Sequence, residues 1–254
     1  MNVFIIGGTS GIGYALADFY QREGNRVGVC GRDLKRLASE SRFEKFQADV
    51  IDKELLDSVI RQFVGTDTLS LLINCAGHYA EDVAGEITYE EAVAMLQTNI
   101  IGAINTVEIG RELMRDSGGQ IVLLASISGI LDYPESSLYS KTKRSVLQIA
   151  DAYRRALRPL GICITTIAPG YVATRKLHDL NQNDLSKKPF VVSEAQAVAE
   201  ISRAIAQKKP LHLFPKRMKW LMQLLSLLPK SLLSLLMYRK AKWMQTPANS
   251  CARN

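Results

Sequence analysis

The sequence is poor in the residues that build metal centres and disulfide frameworks. Its 254 residues include three histidines and four cysteines, Cys30, Cys75, Cys163 and Cys251, widely separated and without a Cys-x-x-Cys pair. That spacing excludes a zinc ribbon or a disulfide-stapled secreted scaffold and fits reduced thiols in a cytoplasmic protein. No metal is expected. Also missing is an uninterrupted apolar run of about 18 residues, the length that would suggest a bilayer span. Residues 2–6 enter an apolar strand at once, which leaves no place for a signal peptide. Acidic residues are absent from one end of the chain: residues 201–254 hold 11 of the 32 Lys+Arg and none of the 25 Asp+Glu. The first 200 residues carry 21 basic against 25 acidic groups, so the net charge of +7 belongs to the tail. A nucleic-acid-binding protein would spread basic groups over its fold, so nucleic acid is not expected as a partner.

What is present is an alternation. Apolar runs at residues 2–6, 26–30, 43–48, 69–74, 121–126, 162–168 and 211–214 read as strands, and amphipathic stretches between them read as helices. That cadence predicts a single α/β domain, a doubly wound Rossmann-type fold on a seven-stranded parallel sheet. Ligands on such sheets bind beyond the C-terminal ends of the strands. Gly7, Asp49, Asn74, Ser126 and Pro169 all fall at those ends.

The turn after the first strand, GGTSGIG, contains Gly7, Gly11 and Gly13. Glycines there let the backbone approach a pyrophosphate, while the helix that follows offers its unpaired N–H groups. The second strand ends in Gly31-Arg32-Asp33, where an acid would bind ribose hydroxyls and favour NAD. Gly31 leaves that place open, and Arg32 can pair with a 2′-phosphate, which favours NADP(H) over NAD(H). The other reading makes Arg32 a solvated charge and Asp33 the cap of the next helix. Asp49 is placed to accept from an adenine amino group, and Ala76 and Gly77 let the chain pass close to a cofactor. A helix over residues 88–115 is expected to break near Asn99 and Gly102, with Asn99 holding a water at a kink.

The chemistry is carried by residues 121–143, IVLLASISGILDYPESSLYSKTK. A tyrosine phenol has a pKa of about 10 and is a poor acid or base at neutral pH. Lys143 lies one helical turn from Tyr139, where its charge should favour the phenolate and lower that pKa. Ser126 can reach the same substrate oxygen if the loop folds back. Together they can protonate or deprotonate a carbonyl or alcohol oxygen while a cofactor moves a hydride.

In this order and spacing the motifs resemble the classical short-chain dehydrogenase/reductase family over about residues 2–214. The resemblance implies that Tyr139 is the general acid/base, that Lys143 lowers its pKa and holds the nicotinamide ribose, and that Ser126 orients the substrate oxygen. It implies that Asn99 holds a water joining the lysine to solvent. Cofactor contacts are implied for Gly7, Thr9, Ser10, Gly11, Ile12, Gly13, Arg32, Asp49, Val50, Asn74, Ala76, Gly77, Pro169, Gly170, Val172 and Thr174. A homodimer or homotetramer is implied as well. Two departures stand out. Ile6 replaces the family's Thr before the first glycine, leaving Thr9 and Ser10 to supply side-chain hydrogen bonds to the turn. Cys75 replaces the second Asn of Asn-Asn-Ala-Gly.

Residues 175–190 occupy the place of a substrate lid, in which His178 reads as a solvated residue. Residues 215–254 form an extension beyond the catalytic domain, 1–214. Within it, residues 216–243 make two leucine-rich segments with basic rims, parted by Pro229-Lys230. They suit either a membrane interface or packing on a subunit or the substrate cleft, and they suggest a lipophilic carbonyl or alcohol substrate. The rival functions are a 3-oxoacyl carrier-protein reductase-like enzyme and a non-catalytic NADP-binding sensor or scaffold.

Overall fold

The computed structural model describes residues 1–80 and 87–245, and within them every side chain except residue 36 and residues 238–245. Seven strands form one sheet: β1 (Asn2–Ile6), β2 (Arg26–Gly31), β3 (Glu44–Gln47), β4 (Leu71–Asn74), β5 (Gly119–Leu124), β6 (Ile162–Pro169) and β7 (Leu211–Phe214). All neighbours are parallel, in the order β3-β2-β1-β4-β5-β6-β7. The chain runs outward from β1 to one edge and then outward from β4 to the other. The reversal between β1 and β4 opens a crevice at the strand ends.

The strands are apolar on both faces because helices cover both. One layer holds α2 (Lys53–Val64), α4 (Gly102–Leu113) and α5 (Leu138–Leu157), whose Leu56, Ile60, Phe63, Val107 and Val146 meet Phe4, Leu72 and Ile121. The other holds α1 (Gly11–Arg22) and α7 (Glu194–Ala206), whose Leu16, Ala17, Ala197 and Ile201 meet Val3, Ile5, Ile73 and Val122. Helix α2 starts on Asp52, whose carboxylate accepts from Leu55 N at 3.0 Å. Helix α7 starts on a reciprocal Ser193/Gln196 capping box.

The helix expected to break at Asn99 does not break. Helix α3 (Tyr89–Leu96) runs through a π turn, Gln97–Ile101, directly into α4. Continuous from Tyr89 to Leu113, it is, among the described residues, the one helix long and apolar enough to cross a membrane. Here it packs beside the sheet and against α5.

Helix α6 (Arg175–Leu180) opens the expected lid segment. After β7 the chain turns at once into α8 (Lys216–Ser226) and then α9 (Lys230–Gln245), the two expected tail helices. The side chains of Tyr238, Arg239, Lys240, Lys242 and Trp243, and all of Cys251, lie outside the described residues.

Candidate active site

The glycine turn after β1 is held by the backbone: Gly7 N and Gly8 N both donate to Cys30 O, at 2.9 and 3.1 Å. This corrects the expectation for Thr9 and Ser10. Ser10 makes no side-chain cap to α1, and the Thr9 side chain packs against the end of β2 instead. Helices beginning at Lys53, Tyr89, Leu138, Arg175 and Glu194 are all capped by a side chain, whereas the N–H groups at the start of α1, as at Lys216, have no side-chain cap and can donate to something else. The turn also has no room for side chains. A Cβ on Gly13 would stand 2.2 Å from Gly7 O, and one on Gly7 would stand 2.7 Å from Ala76 N. Strand β1, helix α1 and the segment after β4 therefore meet as backbone against backbone. Such a cradle, with free N–H groups at a helix start, fits the diphosphate of a dinucleotide.

The remaining expected cofactor residues divide by what their side chains do. Arg32 is exposed at the end of β2, where a Cβ on Gly31 would meet Thr9 Cγ2 at 2.7 Å. Asp33 accepts from Lys35 N at 2.8 Å in a short 3₁₀ turn, so it caps a turn, where a helix start was the alternative expected. Asp49 is half-buried and accepts from Ile51 N at 3.2 Å. Asn74 is spent on the scaffold: its amide donates to Thr106 Oγ1 at 2.8 Å and accepts from Ala76 N at 2.9 Å. Val50 is buried against Gly102, and Val172 is buried in a bridge to Val192. Ile12 packs partly into the core. Gly170 N donates to Phe214 O at 2.8 Å, pinning the Pro169-Gly170 turn to β7. Thr174 Oγ1 caps α6 by accepting from Leu177 N at 3.3 Å.

Four residues converge beyond β4 and β5. Ser126, two residues past β5, caps a 3₁₀ turn and accepts from Ser128 Oγ at 2.9 Å. It also acts as a hydrogen-bonding neighbour of the Tyr139 phenol. The first turn of α5 is capped by Ser137, which accepts from Ser140 N at 3.1 Å and so fixes the turn that carries Tyr139. Lys143 is buried, donates to Leu124 O at 3.0 Å, and has its Nζ 5.9 Å from the centre of the Tyr139 ring. Asn99, carried on the π turn, accepts from His78 N at 2.9 Å and donates to His78 O and Thr142 Oγ1. Its amide is thus engaged by protein groups. A Cβ on Gly77 would stand 3.3 Å from Lys143 Nζ and 3.5 Å from Asn99 Oδ1, so the missing side chain leaves open the space these two face.

The electrostatics correct one expectation. Tyr139 is pushed up to about 12, first by burial, with Ser126 pulling it back and Tyr79 adding a little. Burial outweighs the pull of the Lys143 ammonium, which stands 5.9 Å from the ring centre. The ammonium is itself brought down to about 8, by desolvation first and then by the charge of Lys176. Lys176 in turn is lowered by desolvation and by Arg32. Positive groups thus repel one another along the crevice, the field that an anionic ligand would relieve. The Cys75 thiol, pushed up to about 12 by burial, is an inert protonated group. Among the described residues no cluster suits a metal ion, and His178 is half-buried on α6.

Sequence reasoning missed Thr142, Ser128, Tyr79 and Lys176. Thr142 ties Asn99 to the Tyr139 carbonyl, donating to it at 2.8 Å. The Tyr79 ring stands edge-on to Tyr139 at 5.0 Å. Each sits near a motif that could have marked it: Thr142 within the Tyr-x-x-x-Lys turn, and Ser128, Tyr79 and Lys176 two residues after Ser126, Gly77 and Thr174.

A glycine-turn cradle at the switch point of a parallel sheet, beside buried Lys143 and Asn99 and half-buried Ser126 and Tyr139, defines a dinucleotide-binding oxidoreductase. The family profile described as short chain dehydrogenase matches residues 1–185. An uncharacterised oxidoreductase of Staphylococcus aureus strain MW2 is 31% identical over 200 residues, covering 75% of this chain and 87% of its own. The solved structure of ElxO with NADP bound is 26% identical, with a TM-score of 0.72 over 80% of this chain and 90% of that one. A short chain dehydrogenase of Burkholderia cenocepacia J2315, solved in complex with NADP, is 20% identical and shares the fold, with a TM-score of 0.76 over 97% and 98% of the chains. The chain belongs to the short-chain dehydrogenase family and is an NAD(P)-dependent oxidoreductase.

Proposed function

We propose that the chain interconverts a carbonyl and an alcohol with NADP(H) as its cofactor and Tyr139 as general acid and base. The observation that carries this reading is the convergence of Tyr139, Ser126, Lys143 and Asn99 beside the glycine cradle. When bound, a reduced nicotinamide would supply the hydride for the carbonyl carbon. Tyr139, held above its ordinary pKa, is protonated at neutral pH and gives its proton to the substrate oxygen. Ser126 donates a hydrogen bond to that oxygen as negative charge develops on it. Lys143 is mostly protonated at pH 7 even at about 8, and its field steadies the phenolate left behind. Asn99 holds His78 and Thr142, and through them the positions of Gly77 and Tyr139.

Preference for NADP(H) is supported by Arg32, exposed at the end of β2, and by Thr9, which closes position 31 to an acidic side chain. The ElxO structure with NADP bound supports it from outside. The diphosphate would lie on residues 7–13 and the nicotinamide end near residues 169–174. Residues 1–214 serve as the catalytic domain, with residues 175–190 as its lid. The substrate we favour is lipophilic, since Tyr79 and the buried Leu131 lie close in sequence to the site's own residues. We place the protein in the cytoplasm, in keeping with its free Cys30, Cys75 and Cys163, as a dimer or tetramer.

The test is Tyr139→Phe in an NADPH-oxidation screen over ketones and aldehydes of increasing chain length. Turnover should fall about 10²- to 10⁴-fold while NADPH fluorescence titration stays unchanged. Turnover surviving the substitution would remove Tyr139 from the chemistry. A scaffold protein would show no turnover in either form.

A further inference from the structure

We infer that α8 and α9 form a docking face for an anionic lipid bilayer. Each helix is anchored by one side only: Met218 of α8 and Leu233 of α9 are buried. On the free side, Trp220 is 71% exposed, Leu224 65% and Leu227 80%, and Leu235 and Leu236 of α9 continue the apolar surface. A core-facing helix would hide these side chains, and an ordinary solvated one would not carry them.

The charge around that face selects the partner. Lys216 and Arg217 are exposed and Lys219 is half-buried, all on the first turn of α8, and no acidic residue occurs from 201 to the end of the chain. The segment's one ion pair among the described residues joins Lys230 to Asp132 of the main fold at 2.7 Å. Interfaces between proteins are depleted of lysine, whereas a leucine and tryptophan face with Lys216, Arg217 and Lys219 at its edge matches acyl chains under anionic headgroups. Helices of 11 and 16 residues are too short for a hydrocarbon core that takes about 20, so they lie in the interface plane.

The face is also joined to the rim of the site. Lys230 donates to Asp132 and Ser234 donates to Glu135, and both acceptors stand on the loop between Ser126 and Tyr139. A bilayer-bound tail thus sits beside the opening through which a lipophilic substrate would enter. This last step rests on the reaction proposed above; the docking face does not.

The experiment is co-sedimentation of the full chain with vesicles of phosphatidylcholine alone or with about a third phosphatidylglycerol, at low and high salt. Partition should rise at least tenfold on the anionic vesicles and fall back with salt. It should be lost in Lys216→Glu/Arg217→Glu/Lys219→Glu and in Leu224→Asp/Leu227→Asp. NADPH titration and melting temperature, unchanged in both variants, show that the fold is intact. Equal sedimentation of wild type and variants overturns the inference. So does absence of vesicle binding together with a fall in light-scattering mass in the leucine variant, which would assign the face to a second copy of the chain. Vesicle binding in a wild type that reduces no carbonyl would leave the docking face standing and sink only the proposed reaction.

Discussion

The crevice and the tail place opposite kinds of residue against the usual rule of burial. Around the crevice, polar and charged groups are taken out of water and satisfied. Lys143, Asn99, Thr142 and Asn74 are buried with partners, and among the described residues no buried side-chain polar atom lacks one. On α8 and α9, leucines and a tryptophan are put into water. Burial with partners marks the crevice as a satisfied site, and the exposed apolar surface of the tail is what the docking proposal rests on.

Paired substitutions sharpen that contrast. Leu72, fully buried on β4, should lose about 2 to 5 kcal/mol of stability as Leu72→Ala in urea unfolding. If the two regions were alike, Leu227 would cost as much. Next in size, Arg32→Ala should weaken NADPH binding by about 10- to 100-fold in fluorescence titration and leave NADH nearly untouched. Equal losses for both cofactors would assign Arg32 to the general field of the crevice. A third effect comes from Lys143, lowered to about 8 by desolvation while Tyr139 stays near 12. Below about 8 the ammonium is present and the phenol protonated. As pH rises through about 8 the ammonium is lost first, so kcat/KM for carbonyl reduction should fall about tenfold per unit above it. Removing the charge in Lys143→Met should erase that limb of the profile. Smallest of all, Leu227→Ala should change unfolding free energy by no more than about 0.5 kcal/mol, because the side chain has little packing to lose.

The sheet was legible because its strands are short, apolar and bounded by glycine and polar turns. Expected ends shifted by only a residue or two, as when β4 proved to start at Leu71. The site was legible as far as its motifs reached: Tyr139, Lys143, Ser126 and Asn99 do meet. What the sequence could not show was the balance of solvation. Helical spacing puts Lys143 beside Tyr139, but whether charge or burial sets the phenol's pKa depends on how much protein surrounds both, and burial wins. Nor could it show the π turn. Asn99 and Gly102 weaken a helix, and propensity reads weakness as a break, whereas packing of Met95 on one side and Ala103 on the other holds the helix together. His78 engages Asn99 through its backbone alone, which no side-chain pattern announces.

The wide turn at Gln97–Ile101 has a geometric result. One extra residue per loop sets the two halves of the long helix out of phase by about 100° relative to an unbroken spiral. Met95 can therefore point into the core while Asn99 faces His78 and Thr106 meets Asn74, three directions that a uniform pitch would not grant together. Deleting one residue there would tidy the spiral and misaim the amide.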